Sequence, residues 1–238
     1  MSPIRQIVAV ALALALGLGV QAGLAASLNL ASQALTPYRT CVLTATPATM
    51  TSIIDSSVRQ GSATSNFGTQ TTNNIASGSG ANRRLYIRFD LTQCSPSIPS
   101  SATVRLATMR IYVTVLPAAC RTVDIFQVTA SWTEAGITWN NQPFGTAINN
   151  PPSASASDTF AIGTPAGCQN LTSNAYIAGA IVTSDVAAFV AGTATNNGWM
   201  LRDDVEGSAT VYTQTYSAKN LGTVGQAPQL VITYVTVP

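Results

Sequence analysis

The chain has 238 residues, of which 46% are hydrophobic and only 8% are charged, and its net charge is +2. Because nucleic-acid binding depends on clustered Lys and Arg, and no basic run occurs, we expect no nucleic-acid partner. The chain contains no histidine, which excludes Ser-His-Asp and Cys-His catalytic arrangements and disfavours a zinc site. A sequence poor in Glu and Lys but rich in Thr and Val favours β-strands over long helices.

The N-terminal segment has the organisation of an export signal. Arg5 precedes an apolar stretch over 7–20, and the small residues of 22–26 resemble a cleavage site, so we predict a signal peptide over 1–25. The apolar stretch is short for a membrane span, and no later run is long enough to cross a bilayer. We therefore expect a secreted, extracellular protein in an oxidising compartment, with no membrane association after cleavage.

The rest of the chain divides into a lead-in segment and a β domain. Residues 26–50 carry two prolines and a single charge, Arg39, and we interpret them as a lead-in strand plus linker. The clearest strands of the domain, which spans 51–238, are 83–91 and 107–115, where apolar and polar residues alternate. Further strands are predicted at 51–59, 71–77, 122–130, 158–163, 198–203, 210–217 and 228–236.

The alternation assigns a face to each residue of the two clearest strands. The residues predicted to point into the core are Leu85, Ile87, Phe89, Leu91, Met109, Ile111, Val113 and Val115. The residues predicted to point outward are Arg84, Tyr86, Arg88, Asp90, Arg110, Tyr112 and Thr114. Val104 and Leu106 follow the opposite phase, so we expect a bulge or break near Ala107.

One short helix is predicted over 183–192. Thr183 or Ser184 would provide its N-cap, and Gly192 would end it. With eight to ten strands in about 190 residues, the fold class is all-β, a two-sheet β-sandwich with one short helix.

The segment 130–146, ASWTEAGITWNNQPFGT, contains Trp132 and Trp139 in a Gly- and Asn-rich corner. Both rings could serve as a platform for a ligand. We favour a structural role, because two large apolar rings can cover the open end of a sandwich. Trp199, which follows the Asn-Gly turn at 197–198, has a similar structural interpretation.

Four cysteines, Cys41, Cys94, Cys120 and Cys168, are expected to form two disulfides after export. Four cysteines permit three pairings. We favour Cys94–Cys120, because both residues lie in proline-containing loops that flank one strand region, and Cys41–Cys168 would then follow.

The order of several segments resembles a known family. These segments are DSSVRQGSATSNFGT, RRLYIRFDL, SATVRLATMRIYV, SWTEAGITWNNQP, SDVAAFVAGTATNNGWMLRDD and APQLVITY. Together they are similar to the DNRLRE domain, which is also described as disaggregatase-related and as carbohydrate-binding module family 96. The resemblance implies an extracellular β jelly roll that binds acidic or neutral glycans and usually accompanies polysaccharide-degrading or cell-surface proteins. The four cysteines and residues 26–50 depart from the common pattern, and we expect no catalytic domain beside the module.

The acidic run RDDVEG at 202–207 is the one cluster of carboxylates in the sequence. We interpret it as a solvated turn with a salt bridge to Arg202. A carboxylate pair for glycoside hydrolysis and a calcium loop formed by Asp203, Asp204 and nearby carbonyls are the alternatives. We predict no enzyme activity, no metal ligand and no cofactor, and leave open only a structural calcium ion.

A glycan-binding site is predicted on the polar faces of the two clearest strands, if these strands are neighbours. Its residues are Arg84, Tyr86, Arg88, Arg110 and Tyr112. Arginine forks match carboxylates, so the expected partner is a polysaccharide, with uronic acids the best match. These residues could instead be ordinary outward-facing strand residues. A structural surface or matrix protein, in which 26–43 adds a strand to a neighbour, is the alternative function. The sequence does not predict the oligomeric state.

Overall fold

The computed structural model describes residues 37–46, 49–149 and 155–236. The predicted signal peptide over 1–25 and the start of the lead-in segment, 26–36, lie outside the described residues. The strands are β1 Arg39–Thr44, β2 Ile53–Arg59, β3 Thr72–Ser77, β4 Arg83–Phe89, β5 Thr103–Arg110, β6 Tyr112–Val115, β7 Arg121–Gln127, β8 Asp158–Ile162, β9 Ala175–Tyr176, β10 Trp199–Asp203, β11 Tyr212–Ser217 and β12 Gln229–Val235. The helix α1 spans Thr183–Ala191.

The strands form two antiparallel sheets. The smaller sheet has the order β1-β12-β5, and the larger has the order β8-β7-β10-β4-β3-β11-β6-β9, with β2 paired to β4. Apolar residues of both sheets, among them Leu85 and Phe89 of β4 and Leu230 and Ile232 of β12, share one buried core. The predicted all-β sandwich with one short helix is confirmed, and every predicted strand except 107–115 is present as one strand to within a few residues.

The run 107–115 is divided between the two sheets. β5 ends at Arg110 in the smaller sheet, and β6 begins at Tyr112 in the larger one. The expected bulge is present, since the pairing of β5 with β12 shifts register between Leu106 and Val104, leaving Arg105 as the extra residue. Because of this shift, Val104 faces the core and is buried, whereas Leu106 is 45% exposed.

The inward orientation predicted for Val115 is wrong, because this residue, at the end of β6, is mostly exposed. Met109, Ile111 and Val113 are buried as predicted.

The helix α1 differs from the prediction at its N-terminus. Val182 occupies the N-cap position, and no side-chain capping hydrogen bond forms there. The Thr183 hydroxyl instead accepts the Ala107 N–H of β5 at 3.0 Å and so attaches the helix to the smaller sheet. Gly192 adopts the left-handed conformation and ends the helix as predicted. The described part of the chain contains no helix with the length and hydropathy of a membrane span.

Two disulfides form, Cys41–Cys94 and Cys120–Cys168, and no cysteine of the described residues is free. The predicted Cys94–Cys120 pairing is wrong. The strands between these two cysteines pass from one sheet to the other, so nearness in sequence does not bring their loops together. Cys41 instead lies on β1, which pairs with β12, so part of the predicted lead-in segment is built into the smaller sheet.

Candidate functional site

The outer face of β4, predicted to be solvent-exposed, is buried. Arg84 is 1% exposed and Tyr86 is fully buried. A second apolar cluster, separate from the main core, covers this face; its members are Val58, Tyr86, Phe126, Val128, Trp132, Ile137, Trp139 and Met200. Much of this cover comes from the long connection between β7 and β8. Arg84 and Tyr86 are therefore inaccessible to a glycan, and this part of the predicted site is wrong.

Arg84 holds this connection against the sheet. Its Nε and Nη2 form a bidentate pair with the Glu206 carboxylate at 2.7 and 2.9 Å. Nη1 donates to Gln142 Oε1 at 3.1 Å and to the Gly145 carbonyl at 2.9 Å, and Nη2 also donates to the Ala147 carbonyl at 2.6 Å. All the donors of the guanidinium are thus satisfied within the protein.

The tryptophans of the corner segment contribute to the same buried layer. Trp139 is 3% exposed, and the Arg84 guanidinium lies 4.7 Å from its ring centroid. Trp132 is also buried, donates its indole N–H to the Asn197 carbonyl at 2.8 Å, and packs edge-on against Tyr86. This geometry supports the structural interpretation of both rings over a ligand platform.

The acidic run at 202–207 is a buried ionic network, so the predicted solvated turn is wrong. Glu206 receives hydrogen bonds from Arg84 and, at 3.2 Å, from Arg202, the partner predicted for the run. Asp203 is fully buried and pairs with Arg121. Burial raises the pKa of Asp203, while the hydrogen bond from Arg121 opposes that shift. These carboxylates are thus occupied by arginines.

The predicted stripe of arginine and tyrosine residues does not form, because β4 and β5 lie in different sheets. Arg110 forms a separate, half-exposed cluster. Its guanidinium lies 4.4 Å from the Tyr176 ring centroid and donates to Gln229 Oε1 at 3.0 Å. Tyr112 packs edge-on against the same Tyr176 ring.

Arg88 is the member of the predicted set that lines a cleft of about 430 Å³. The residues around it are Thr51, Ser52, Ile54, Arg88, Phe89, Asp90, Leu91, Thr92, Phe189 and Asn196. Arg88 is half-buried, and none of its guanidinium nitrogens lies within 4.0 Å of a carboxylate oxygen in the described residues. The cleft therefore presents a cationic fork beside hydroxyl and amide groups.

Asp90 shapes the same cleft from the end of β4. Its carboxylate accepts the N–H and hydroxyl of Thr92 at 3.0 and 2.7 Å and caps the short turn over 91–93. Burial raises the pKa of Asp90. The hydrogen bonds from Thr92 and Gln93 and the charge of Arg88 outweigh this effect of burial, so the pKa of Asp90 lies below its ordinary value. Asp90 therefore stays charged at neutral pH, and its carboxylate is hydrogen-bonded to the turn that it caps.

The described side chains have an unequal charge balance. All nine carboxylates of the chain lie in the described part, and each accepts a hydrogen bond or forms an ion pair there; they are Asp55, Asp90, Asp124, Glu134, Asp158, Asp185, Asp203, Asp204 and Glu206. The basic residues without a carboxylate within 4.0 Å in this part are Arg39, Arg59, Arg83, Arg88, Arg105 and Arg110. In the described residues six arginines thus lack a carboxylate partner, whereas each carboxylate has at least one hydrogen bond or ion pair.

Residues 46–234 match carbohydrate-binding module family 96. The chain belongs to this family. The match begins just after β1 and ends within β12, so it covers both sheets except for the edge strand β1. No curated protein matches the chain. As a family 96 module the chain is a carbohydrate-binding module, as its segments indicated.

Sequence alternation alone could not identify the residues that line the cleft together with Arg88 in this family 96 module. Thr51 precedes β2, Phe189 lies on α1, and Asn196 lies in the turn before β10. The Asn196 amide donates to the Phe89 carbonyl at 2.8 Å, which attaches that turn to the end of β4. The Asn-Gly turn at 197–198, next to Asn196, was the one sequence signal near these cleft residues. Arg59 and Arg83, which were not predicted as site residues, carried no such signal.

Proposed function

We propose that this family 96 module is a secreted, non-catalytic domain that binds an acidic polysaccharide, with Arg88 as its principal contact. The observation that carries the proposal is the charge balance of the described residues. Each carboxylate has a hydrogen bond or an ion pair within the described residues, whereas Arg88, which lines a cleft of about 430 Å³, has no carboxylate within 4.0 Å there. A ligand carboxylate would provide the partner that the protein does not.

The chemistry of the cleft suits a uronic acid residue. The guanidinium of Arg88 can bind both oxygens of a carboxylate through two parallel hydrogen bonds. The exposed Thr51 hydroxyl can bond the hydroxyls of the sugar, the Thr92 hydroxyl, which donates to Asp90, can accept such a bond, and Phe189 adds an apolar wall. Arg110 and Tyr112 form a second candidate contact on another part of the surface.

A non-catalytic role is supported by the occupation of the carboxylates. Glycoside hydrolysis requires two carboxyl groups that flank the scissile bond. Asp203 and Glu206 are buried against arginines, and Asp90 is occupied by its turn. Secretion is supported by the two disulfides, which persist in oxidising compartments, and by the signal-like composition of 1–25.

The proposal is tested by titrating the mature protein with polygalacturonate and with its fully methyl-esterified form, which has the same sugar backbone without the charge. We expect binding to polygalacturonate, weaker binding to the ester, and affinity that falls as salt rises. Arg88→Gln should weaken the binding about tenfold or more, as expected for a lost charged hydrogen bond. The matched control is Arg105→Gln on β5, an exposed arginine that also lacks a carboxylate partner in the described residues.

Equal affinity for the acid and its ester would contradict an acidic ligand. Equal loss in the Arg88 and Arg105 variants would contradict a site in the cleft.

The alternative function, a matrix protein, is favoured by one observation. β1 pairs only with β12 among the described strands, so its other edge has no strand partner there. Exposed Tyr38 and Val42 lie next to or on this edge strand. Strand addition at that edge would produce assemblies, whereas a binding module retains its affinity as a monomer. Sedimentation of the mature chain over a range of concentrations distinguishes the two.

A further inference from the structure

Arg59 and Arg83 stand directly opposite each other at the end of the β2–β4 pair. Like charges in this cross-strand position repel and destabilise a sheet. Neither guanidinium lies within 4.0 Å of a carboxylate in the described residues, whereas Arg84, the next residue along β4, has one. The fold therefore holds two unneutralised cations together where one carboxylate would relieve the repulsion.

The two guanidinium groups are held in place by uncharged neighbours. Arg59 lies over the Phe67 ring, with its Cζ 3.8 Å from the ring centroid. Arg83 donates from Nη1 to Asn74 Oδ1 at 3.2 Å. A ring and an amide are uncharged, so they leave the positive charge of both guanidinium groups unneutralised. Because they also hold the two side chains in place, a ligand has less side-chain conformational entropy to remove on binding.

Arg59 also has an unused buried donor. Its Nε is buried and has no hydrogen-bond acceptor, although the residue as a whole is half-buried. A buried donor without a partner destabilises the fold. Burial, together with the charge of Arg83, lowers the pKa of Arg59. An anion placed beside the two arginines would oppose the effect of the Arg83 charge.

A cavity of about 250 Å³ opens beside the pair. Its other residues, Gly61, Ser62, Gly80 and Ala81, come from two turns that carry small or no side chains. Gly80 adopts a positive φ of 69°, which favours glycine, and the space where a Cβ would lie is open. The volume is several times the roughly 30 Å³ share of one water molecule, so a carboxylate or sulfate group fits.

We propose that Arg59 and Arg83 form an oxyanion subsite that binds a carboxylate or sulfate ester of the polysaccharide, separate from the Arg88 cleft. The assignment of a polysaccharide as the source of the anion rests on the proposed function. The subsite itself is a property of the arginine pair and its cavity, so it can be tested with a small anion.

The direct test is an NMR titration of the arginine Nε–H signals with sodium sulfate and sodium acetate, with sodium chloride at matched ionic strength. We expect saturable shifts of the Arg59 and Arg83 signals with sulfate or acetate, while Arg105 shifts only as it does with chloride. Arg83→Gln should weaken the response of Arg59 at least tenfold. Non-saturating shifts, or shifts equal to those of Arg105, would overturn the subsite.

Polymer binding then identifies the source of the anion. Polygalacturonate and dextran sulfate are titrated into the wild type, Arg83→Gln and Arg88→Gln, and the polymer whose affinity falls about tenfold in Arg83→Gln carries the recognised group. Saturable sulfate or acetate binding without binding of either polymer supports the subsite and contradicts the proposed function. Normal polymer binding by Arg83→Gln, together with loss in Arg88→Gln, overturns the subsite and leaves the proposed function in place.

Discussion

Arg83 and Arg84 are neighbours on β4, yet they lie in opposite environments. Arg84 is buried beneath the connection between β7 and β8 and pairs with Glu206. Arg83 lies at the rim of a cavity, faces Arg59 across the strand pair, and has no carboxylate partner in the described residues. The comparison shows that sequence alternation identifies the face of a residue, whereas its role depends on what covers that face.

The largest expected effect is on the free energy of unfolding when the buried Arg84 is replaced. Arg84→Met should lower the free energy of unfolding by about 3–5 kcal/mol, because Glu206 would lose its bidentate partner in a buried site. Arg83→Met is the matched control and should leave the stability unchanged or slightly higher, since it removes a repulsion. Urea unfolding of both variants measures the difference. Equal stability losses would show that the two arginines do not differ in role.

The second effect concerns Asp55, which is buried on β2. Burial raises the pKa of Asp55 to about 7, and the hydrogen bond from the Lys219 N–H opposes this only in part. Between about pH 4 and pH 7 the folded protein therefore holds a proton that the unfolded chain releases. The free energy of unfolding should fall as pH rises through this window, by up to about 4 kcal/mol.

Asp55→Asn is the control for this pH dependence, because an amide mimics the protonated acid. Glu134 and Lys219, the charged groups that face Asp55, remain in the variant. Urea unfolding at pH 4.5 and 7.5 should show a smaller difference in the variant than in the wild type. The same difference in both proteins would contradict the assignment to Asp55.

A third, smaller effect is expected on stability without an effect on binding. Trp139→Ala should destabilise the protein by about 3 kcal/mol, because it removes a buried ring that packs against Arg84. Affinity for polygalacturonate should be unchanged at a temperature where the variant is folded. Thermal unfolding and titration on the same sample provide both values. Lost binding with full stability would move the site to the corner segment.

The smallest effect expected is on binding alone. Arg88→Ala should lower the affinity for polygalacturonate by about 1.5–3 kcal/mol, the range for a charged hydrogen bond. Its stability should match that of the wild type, since Arg88 is half-buried and has no ion pair in the described residues. Calorimetric titration and thermal unfolding measure the two quantities. A destabilised variant with unchanged affinity would contradict the proposed role.

Strand positions along the chain and many core residues were predictable from local patterns. The alternation over 83–91 correctly placed Leu85, Ile87 and Phe89 in the core, because the two faces of a strand follow directly from its geometry. The helix end at Gly192 was also predictable, since a left-handed residue favours glycine.

Long-range contacts were not predictable in the same way. The burial of Arg84 depends on a carboxylate 122 positions away and on a connection that returns over β4. The disulfide pairing likewise depends on β1 lying beside β12, at opposite ends of the domain sequence. Of the cleft residues, Arg88 was the one in the predicted set, whereas Asn196 and Phe189, which share its cleft, come from distant segments.

The central claim is that Arg59, Arg83 and Arg88, which have no carboxylate partner in the described residues, bind an acidic polysaccharide. Its most direct test is the affinity for polygalacturonate of a variant that combines Arg59→Gln, Arg83→Gln and Arg88→Gln, compared with the control Arg39→Gln/Arg105→Gln. We predict a loss of about a hundredfold or more for the triple variant, at about 1.4 kcal/mol for each tenfold step, with an unchanged melting temperature. The control should bind within about twofold of the wild type, as expected of surface charges remote from a site. Wild-type affinity in the folded triple variant would contradict the account.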